Sequence, residues 1–295
     1  MLSMLAQQLV NALSLGSIYA LFALGFTLVF GILGVINLSH GGLFMLGAYA
    51  ALFFLERHWP AWLALPVAVL VTGIIGLLID LLVLKQLRRQ RAPHLMPMIA
   101  TIGATILMTS LAQGLFGAES RHFPLSFFDN ASLTLGAVTL PYAQVAIMVI
   151  AFGTMITMGW LLKKTRLGIA LRAIAESPRA AALLGIPVER LFHLTSFLAA
   201  TLGGIAGILI GLSFNAISPF MGQPMLHKGI AAIILGGLGD IRGAVLGGLF
   251  LGFAEVLAVT YLSSEYRDAF SFGLLFLVLL WRPQGLFGAT HLRSA

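Results

Sequence analysis

The sequence predicts an all-α fold, a polytopic bundle of about eight to nine membrane segments, some of them broken or re-entrant. Three observations carry that expectation. Of 295 residues, 59% are hydrophobic and 9% charged, against about 25% charged in soluble domains. Apolar runs approaching the roughly 20 residues that cross a bilayer recur along the whole chain. The runs lack the apolar–polar alternation of a membrane β-barrel, which leaves helices as the spanning structure. The 33 Gly and 11 Pro also suit membrane helices.

In order, the expected spans are Leu5–Phe30, Gly41–Leu55, Trp62–Leu84, Met96–Phe116, Tyr142–Leu162, Leu191–Leu212, Gly243–Leu262 and Ala269–Leu280. A ninth, Ile217–Leu238, holds Pro219, Pro224 and Lys228, and only Gly229–Leu238 is strongly apolar. It reads as a broken or re-entrant helix. If all nine cross, Lys85–Arg91, Lys163–Arg190, Arg242 and the tail (Arg282, Arg293) share one side, with thirteen of the seventeen basic residues. Arg57, Arg121, Lys228 and Arg267 fall on the other. The positive-inside rule then places the C-terminus in the cytoplasm.

Charge and cysteine narrow the function classes. The net charge of +7 suits loops facing anionic headgroups and implies no nucleic-acid partner. With no Cys, disulfides, thiolate metal sites and Cys nucleophiles are excluded. No basic residue precedes Arg57, so the positive region of a secretory signal peptide is missing. The outer stretch Gly117–Leu140, with Glu119, Arg121, Asp129 and Asn130, is too short for a substrate-binding domain. Its SLTLGAVTLP portion alternates like a β-hairpin over the outer face.

Lys163–Arg190 is the chain's main polar segment, with six basic and two acidic residues between two apolar runs. Arg172 and Glu176 are spaced i, i+4 on a helix. Ser177-Pro178 signals a second helix start, and Gly185 its end. Two short helices result, presenting Arg172, Glu176 and Arg179, with Ala173, Ala180, Leu183 and Leu184 as an apolar contact face. Such a pair either lies on anionic lipid or enters a groove on a nucleotide-hydrolysing partner.

Other features admit two readings each. Gly203, Gly207 and Gly211, and Gly239, Gly243 and Gly247, recur every four residues. That spacing lets helix backbones pack closely and slide. Asn37, Ser39 and His40 interrupt an apolar run. They either border a translocation route or form a turn in which Ser39 or Asn37 caps the next helix. Glu255 is an acidic residue deep in an apolar span, placed to face the pathway, bind a backbone donor or pair with a basic residue of a partner. Asp80 lies close enough to Lys85 and the interface to snorkel. Gly41–Phe44 and Gly247–Phe250 both read GGLF and would open helices of an internal repeat. No G-x-x-x-x-G-K-[ST] loop is present, and LGGLGDIRGAVLGG lacks the Lys and Ser/Thr for phosphate and magnesium. The chain therefore carries no phosphate loop of an ATPase.

RLGIALRAIAESPRAAALLGIPVER (166–190) resembles the cytoplasmic loop of branched-chain amino acid ABC transporter permeases, the LivH-type family. So do GSIYALFALGFTLVFGILGVINLSHGGLFMLGAYAA (16–51), KGIAAIILGGLGDIRGAVLGGLFLGFAE (228–255) and LLWRPQGLFG (279–288). The resemblance implies one permease domain over 1–295, with an ATPase-coupling loop at 163–190. It implies a second homologous permease, two ABC ATPases and a periplasmic or extracellular substrate-binding protein as partners. The chain itself would hold no cofactor or metal, ATP and Mg being bound by the ATPases. The expected function is import of branched-chain or other small apolar amino acids by alternating access. Coupling would fall to Arg172, Ala173, Glu176, Arg179 and Gly185, and the path would pass Asn37, Ser39, His40 and Glu255. Urea or short amides are alternative cargo within such a family. An ion- or proton-coupled carrier and an intramembrane enzyme are the alternatives outside it.

Overall fold

A computed structural model describes residues 2–93, 95–124, 132–135, 138–282 and 284–286. The described residues are helical apart from one small hairpin. Asp129, Asn130 and Arg293 lie outside them.

Helix α1 (Leu2–Leu33) is the axis of the bundle, and most of it is buried. Its small residues let neighbours approach: the backbone of Leu249 meets Gly16, and that of Gly248 meets Ala20. After Gly34, at φ +68°, the chain turns back. Helix α2 (His40–Glu56) then starts beside Phe22, well inside the bundle. At 1.5 Å per residue that is roughly 15 Å back from the end of α1. Helix α3 (Ala61–Ile79) passes through a π-helical turn (Asp80–Leu84) into α4 (Lys85–Arg89). Helix α5 (Leu95–Phe116) lies outermost, with Ile99, Ile102, Ile106 and Leu111 exposed.

The predicted hairpin is present. Strands β1 (Ser132–Leu135) and β2 (Val138–Pro141) pair antiparallel, Ser132 opposite Pro141. The Gln7 amide grips it, accepting from Thr139 N–H at 3.0 Å and donating to its carbonyl at 3.1 Å. Helix α6 (Tyr142–Lys164) leads into α7 (Arg166–Glu176) and α8 (Pro178–Leu183). Helix α9 (Val188–Phe214) returns across the bundle. Helix α10 (Gly222–Gly236), α11 (Ile241–Tyr261), a 3-10 turn (Ser264–Tyr266) and α12 (Arg267–Trp281) follow.

Six helices are long and apolar enough to cross a membrane: α1, α3 with its extension to Arg89, α5, α6, α9 and α11. Helices α2, α10 and α12 are shorter, at 17, 15 and 15 residues. The expected Ile217–Leu238 span is thus a loop followed by a 15-residue helix. Helices α2 and α10 begin against each other, and a Cβ on Gly41 or Gly222 would strike the other's carbonyl.

The basic clusters lie on one face. Arg88 reaches Glu189 at 3.5 Å. The end of α1 packs on Ile174, Ala181 and Phe192. Gly31 neighbours Gly239, and the Leu286 N–H donates to the Leu235 carbonyl at 2.8 Å. At the opposite face Glu56 meets Arg121 at 3.9 Å, and Arg121 pairs with Ile217 through their backbones.

Three expectations are corrected. Lys228 is not on the outer face but buried, 8% exposed, because its ammonium has carboxylates inside the bundle. Gly239 belongs to no packing row: it turns the chain between α10 and α11 at φ +87°, with open space where a Cβ would stand. Gly247 does not open a helix but lies inside α11, facing Ala232, so it is not placed like Gly41. The remaining row members do pack closely. Gly207 meets Phe44, Gly211 meets Phe123, and Gly243 meets Gly236.

Candidate translocation and coupling sites

At the break between α1 and α2, the freed backbone needs partners inside the bundle. Helix α5 supplies them. Leu38 N–H donates to Thr101 Oγ1 at 3.1 Å, and Thr105 donates to the Leu38 carbonyl at 3.0 Å. Asn37 Oδ1 accepts from the N–H of Ser39 at 3.0 Å and also from its hydroxyl. Neither residue caps α2 through its side chain, because Asn37 and Ser39 satisfy each other instead. His40 Nε2 lies 3.2 Å from the Phe22 carbonyl, so this nitrogen carries the proton. Its ring sits 4.5 Å from Phe22 and 5.7 Å from Phe26, between centroids. Gly25 and Gly203 form the slot for it: on either, a Cβ would stand 2.9 Å from His40 Cε1. Asn37, Ser39 and His40 are all buried.

Glu255 is fully buried and pairs within its own chain. Lys228 Nζ donates to Oε1 at 2.9 Å and Oε2 at 3.0 Å, and the Tyr19 hydroxyl donates to Oε2 at 2.9 Å. Arg267 Nε stands 3.1 Å from Oε1, a charge contact not directed as a hydrogen bond. Asp268 lies 3.3 Å from Lys228. Two cations and two carboxylates therefore balance. The cluster joins α1, α10, α11 and α12, and Phe22 separates it from the break by touching both His40 and Gly229. Glu255 and Arg267 also border a cavity of about 640 Å³. It lies among the ends of α1, α6, α9 and α11 that face away from the basic-rich side.

The polar segment folds as two short helices. Thr165 caps α7, its Oγ1 accepting from Gly168 N–H at 3.1 Å. Gly168 packs against the Leu161 and Leu162 carbonyls, which makes the turn out of α6 sharp. The Ser177 hydroxyl accepts from Ala180 N–H at 3.3 Å, Pro178 takes the first helical position, and Gly185 closes the unit at φ +80°. Leu171, Ile174 and Ala181 face the bundle. Arg172, Glu176, Arg179 and Gly185 face outward, with Leu183 at 90% and Leu184 at 80% exposure. Ala173 is the exception in the expected contact face: it is half-buried and packs on Ile174, Ala181 and Phe192. Among the described residues no ion pair joins Arg172 to Glu176.

Asp80 does not snorkel toward Lys85. It is fully buried in the π-helical turn, where Arg88 meets it at 2.7 Å and His193 Nδ1 also contacts it. Arg88 stacks over Phe192 at 4.9 Å as well. Helices α3 and α4 are thereby fixed to the start of α9, directly after α8. Tyr19, Lys228, Arg267, Thr101 and Thr105 thus contact the expected residues, and Arg88 and His193 contact Asp80. For Lys228 and Glu255 the signal was two lone opposite charges in apolar segments, which demand partners.

A family model for the permease component of branched-chain amino acid transport systems matches residues 8–279. The chain belongs to that family. This permease is therefore a membrane subunit of a transporter and not itself an enzyme. It is 34% identical to the high-affinity branched-chain amino acid transport system permease protein LivH of Escherichia coli (strain K12), over 96% of this chain and 95% of the relative. The BraD permease of Pseudomonas aeruginosa is 35% identical over the same shares, 96% and 95%. The LivM permease of E. coli K12 is 28% identical over 98% of this chain and 72% of its own. No solved structure matches the chain.

Proposed function

We propose that this permease forms half of the membrane pore of an ATP-driven importer for branched-chain or other small apolar amino acids. The observation that carries the proposal is the α7–α8 unit. It stands on the basic-rich face and holds Leu183 and Leu184 almost wholly in the open. Exposed leucines flanked by Arg172, Glu176 and Arg179 fit a protein groove better than a bare aqueous surface. The groove would belong to one of two ABC ATPase subunits, which hold the ATP and magnesium. The similarity to LivM supports a homologous, non-identical permease as the other half. A periplasmic or extracellular binding protein would deliver substrate to the face opposite the basic residues. The excess of Lys and Arg on this face supports a cytoplasmic side for residues 163–190 and the C-terminus, in a bacterial plasma membrane.

In this mechanism ATP-driven closure of the ATPases moves α7–α8. The movement passes into α9 and, through Arg88, Asp80 and His193, into α3. Gly185 lets the chain turn straight from α8 toward α9, so little displacement is lost. Ala173 roots α7 on the bundle. Glu255 borders the path at the floor of the cavity. Asn37, Ser39 and His40 hold the break against which the shorter helices α2 and α10 shift between outward- and inward-open states.

Co-purification from native membranes tests the proposal. Two ATPases should accompany this permease, and replacing Arg172 and Glu176 together with alanine should release them. A chain that purifies alone and drives uptake from an ion gradient without ATP would overturn it in favour of a secondary carrier.

A further inference from the structure

We infer that the cavity above Glu255 binds a free aliphatic α-amino acid, with Arg267 as the anchor for its carboxylate. The inference rests on the import reading above and adds a substrate site within this chain.

The cavity, about 640 Å³, lies in the range of small-ligand sites, 300–1,000 Å³. Its lining is divided. Leu15, Ile147, Leu212, Val256 and Val259 supply an aliphatic wall. Glu255 and Arg267 stand together as its charged groups among the described lining residues. A side chain such as leucine's needs the first, and a zwitterion needs the second.

Arg267 is the least committed member of the cluster. Lys228 is spent on Glu255, Tyr19 and Asp268. Arg267 offers only Nε to Glu255, at 3.1 Å and poorly directed. Among the described residues no acceptor meets its Nη atoms, and its side chain is 36% exposed. A guanidinium with its fork free and its flank held by a carboxylate suits bidentate binding of another carboxylate. That carboxylate would take the fork while Glu255, fully buried and held by Lys228, keeps the flank of the guanidinium in place. Ser213, also on the wall, adds a hydroxyl on the same side.

The test uses the complete complex of both permeases and both ATPases in nanodiscs, without binding protein or ATP. Equilibrium binding of radiolabelled leucine is measured against leucinamide, which keeps the side chain and the ammonium but lacks the carboxylate. Wild type should prefer leucine about tenfold or more, the loss expected when a charged hydrogen bond goes unmade. Arg267→Gln should erase that preference, and Arg267→Lys should keep part of it. Val259→Trp, which replaces no member of the ion cluster, should abolish leucine binding by filling the cavity. It also decides the question if Arg267→Gln does not assemble. No leucine binding by wild type, equal binding of the two ligands, or unchanged binding by Val259→Trp would each overturn the inference. So would an Arg267→Gln complex that loses only its docking of the binding protein. ATP-driven leucine uptake with binding protein, run on the same preparation, separates this failure from failure of the import reading.

Discussion

A lysine ammonium inside an apolar bundle needs a carboxylate beside it. Lys228 has Glu255 at 2.9 Å, and Glu255 has no exposed surface at all. Breaking such a pair from one side strands a buried charge and costs about 3–5 kcal/mol, whereas removing both partners is far milder. Lys228→Met and Glu255→Gln should therefore each lower the melting temperature of the purified permease sharply. The double variant should melt well above the sum of the two losses, read as coupling in a double-mutant cycle. Simple additivity would mean that Arg267 and Asp268, not this pair, carry the cluster. The sequence marked Glu255 as an anomaly but set Lys228 on the outer face, so their union was not read. Their pairing depends on α10 being a short helix that lies against α11, and Pro219, Pro224 and Lys228 blurred its start. Asp80 was misread for a similar reason, since the π-helical turn that carries it inward leaves no mark in composition.

The α7–α8 unit shows the opposite case, in which local chemistry decides an element almost unaided. Thr165, Ser177, Pro178 and Gly185 each act on backbone within a few residues, so their positions could be read directly. Which face turns inward could not, because Ala173 is drawn toward Phe192, a contact supplied by α9. Ser177→Ala removes the acceptor for Ala180 N–H and should destabilise α8 by about 1 kcal/mol. Hydrogen exchange should rise across Pro178–Leu183 and remain unchanged in α9, and coupled ATPase activity should fall. Uniform exchange across both elements would show that α8 is held by its packing and not by its cap. Helix α2 lies between these cases. Its end was legible within a residue, at Leu55, but the depth of its beginning came from threonines on α5, 63 and 67 residues from Leu38.

Across the whole molecule, two faces differ in charge, in function and in what they leave open. The basic-rich face carries the α7–α8 unit, proposed above as the coupling element, and the opposite face carries the cavity. Because the sequence contains no cysteine, single cysteines can report on each face without background. Ser120→Cys, on the exposed turn after α5, should react with a membrane-impermeant maleimide added to intact cells. Gln90→Cys, exposed after α4, should react only once the membrane is opened. The reverse pattern would invert the molecule and remove the coupling unit from any cytoplasmic ATPase. The bundle class and the charge asymmetry were legible because lipid constrains composition so strongly. The full number of crossings was not, because α2, α10 and α12 are too short for length alone to decide.

The pairing of Lys228 with a residue 27 positions later also governs how the protein is made. Helix α10 leaves the ribosome first, with 15 residues and a lysine. A central lysine weighs against insertion by about 2.5–3.5 kcal/mol. Alone, the segment is a poor candidate for lateral release into lipid. Its neutralising carboxylate arrives only with α11, so the two helices must leave the insertion machinery as a pair. A chain stalled between them would hold α10 in an aqueous conduit, exposed to quality-control proteases until its counterion is translated.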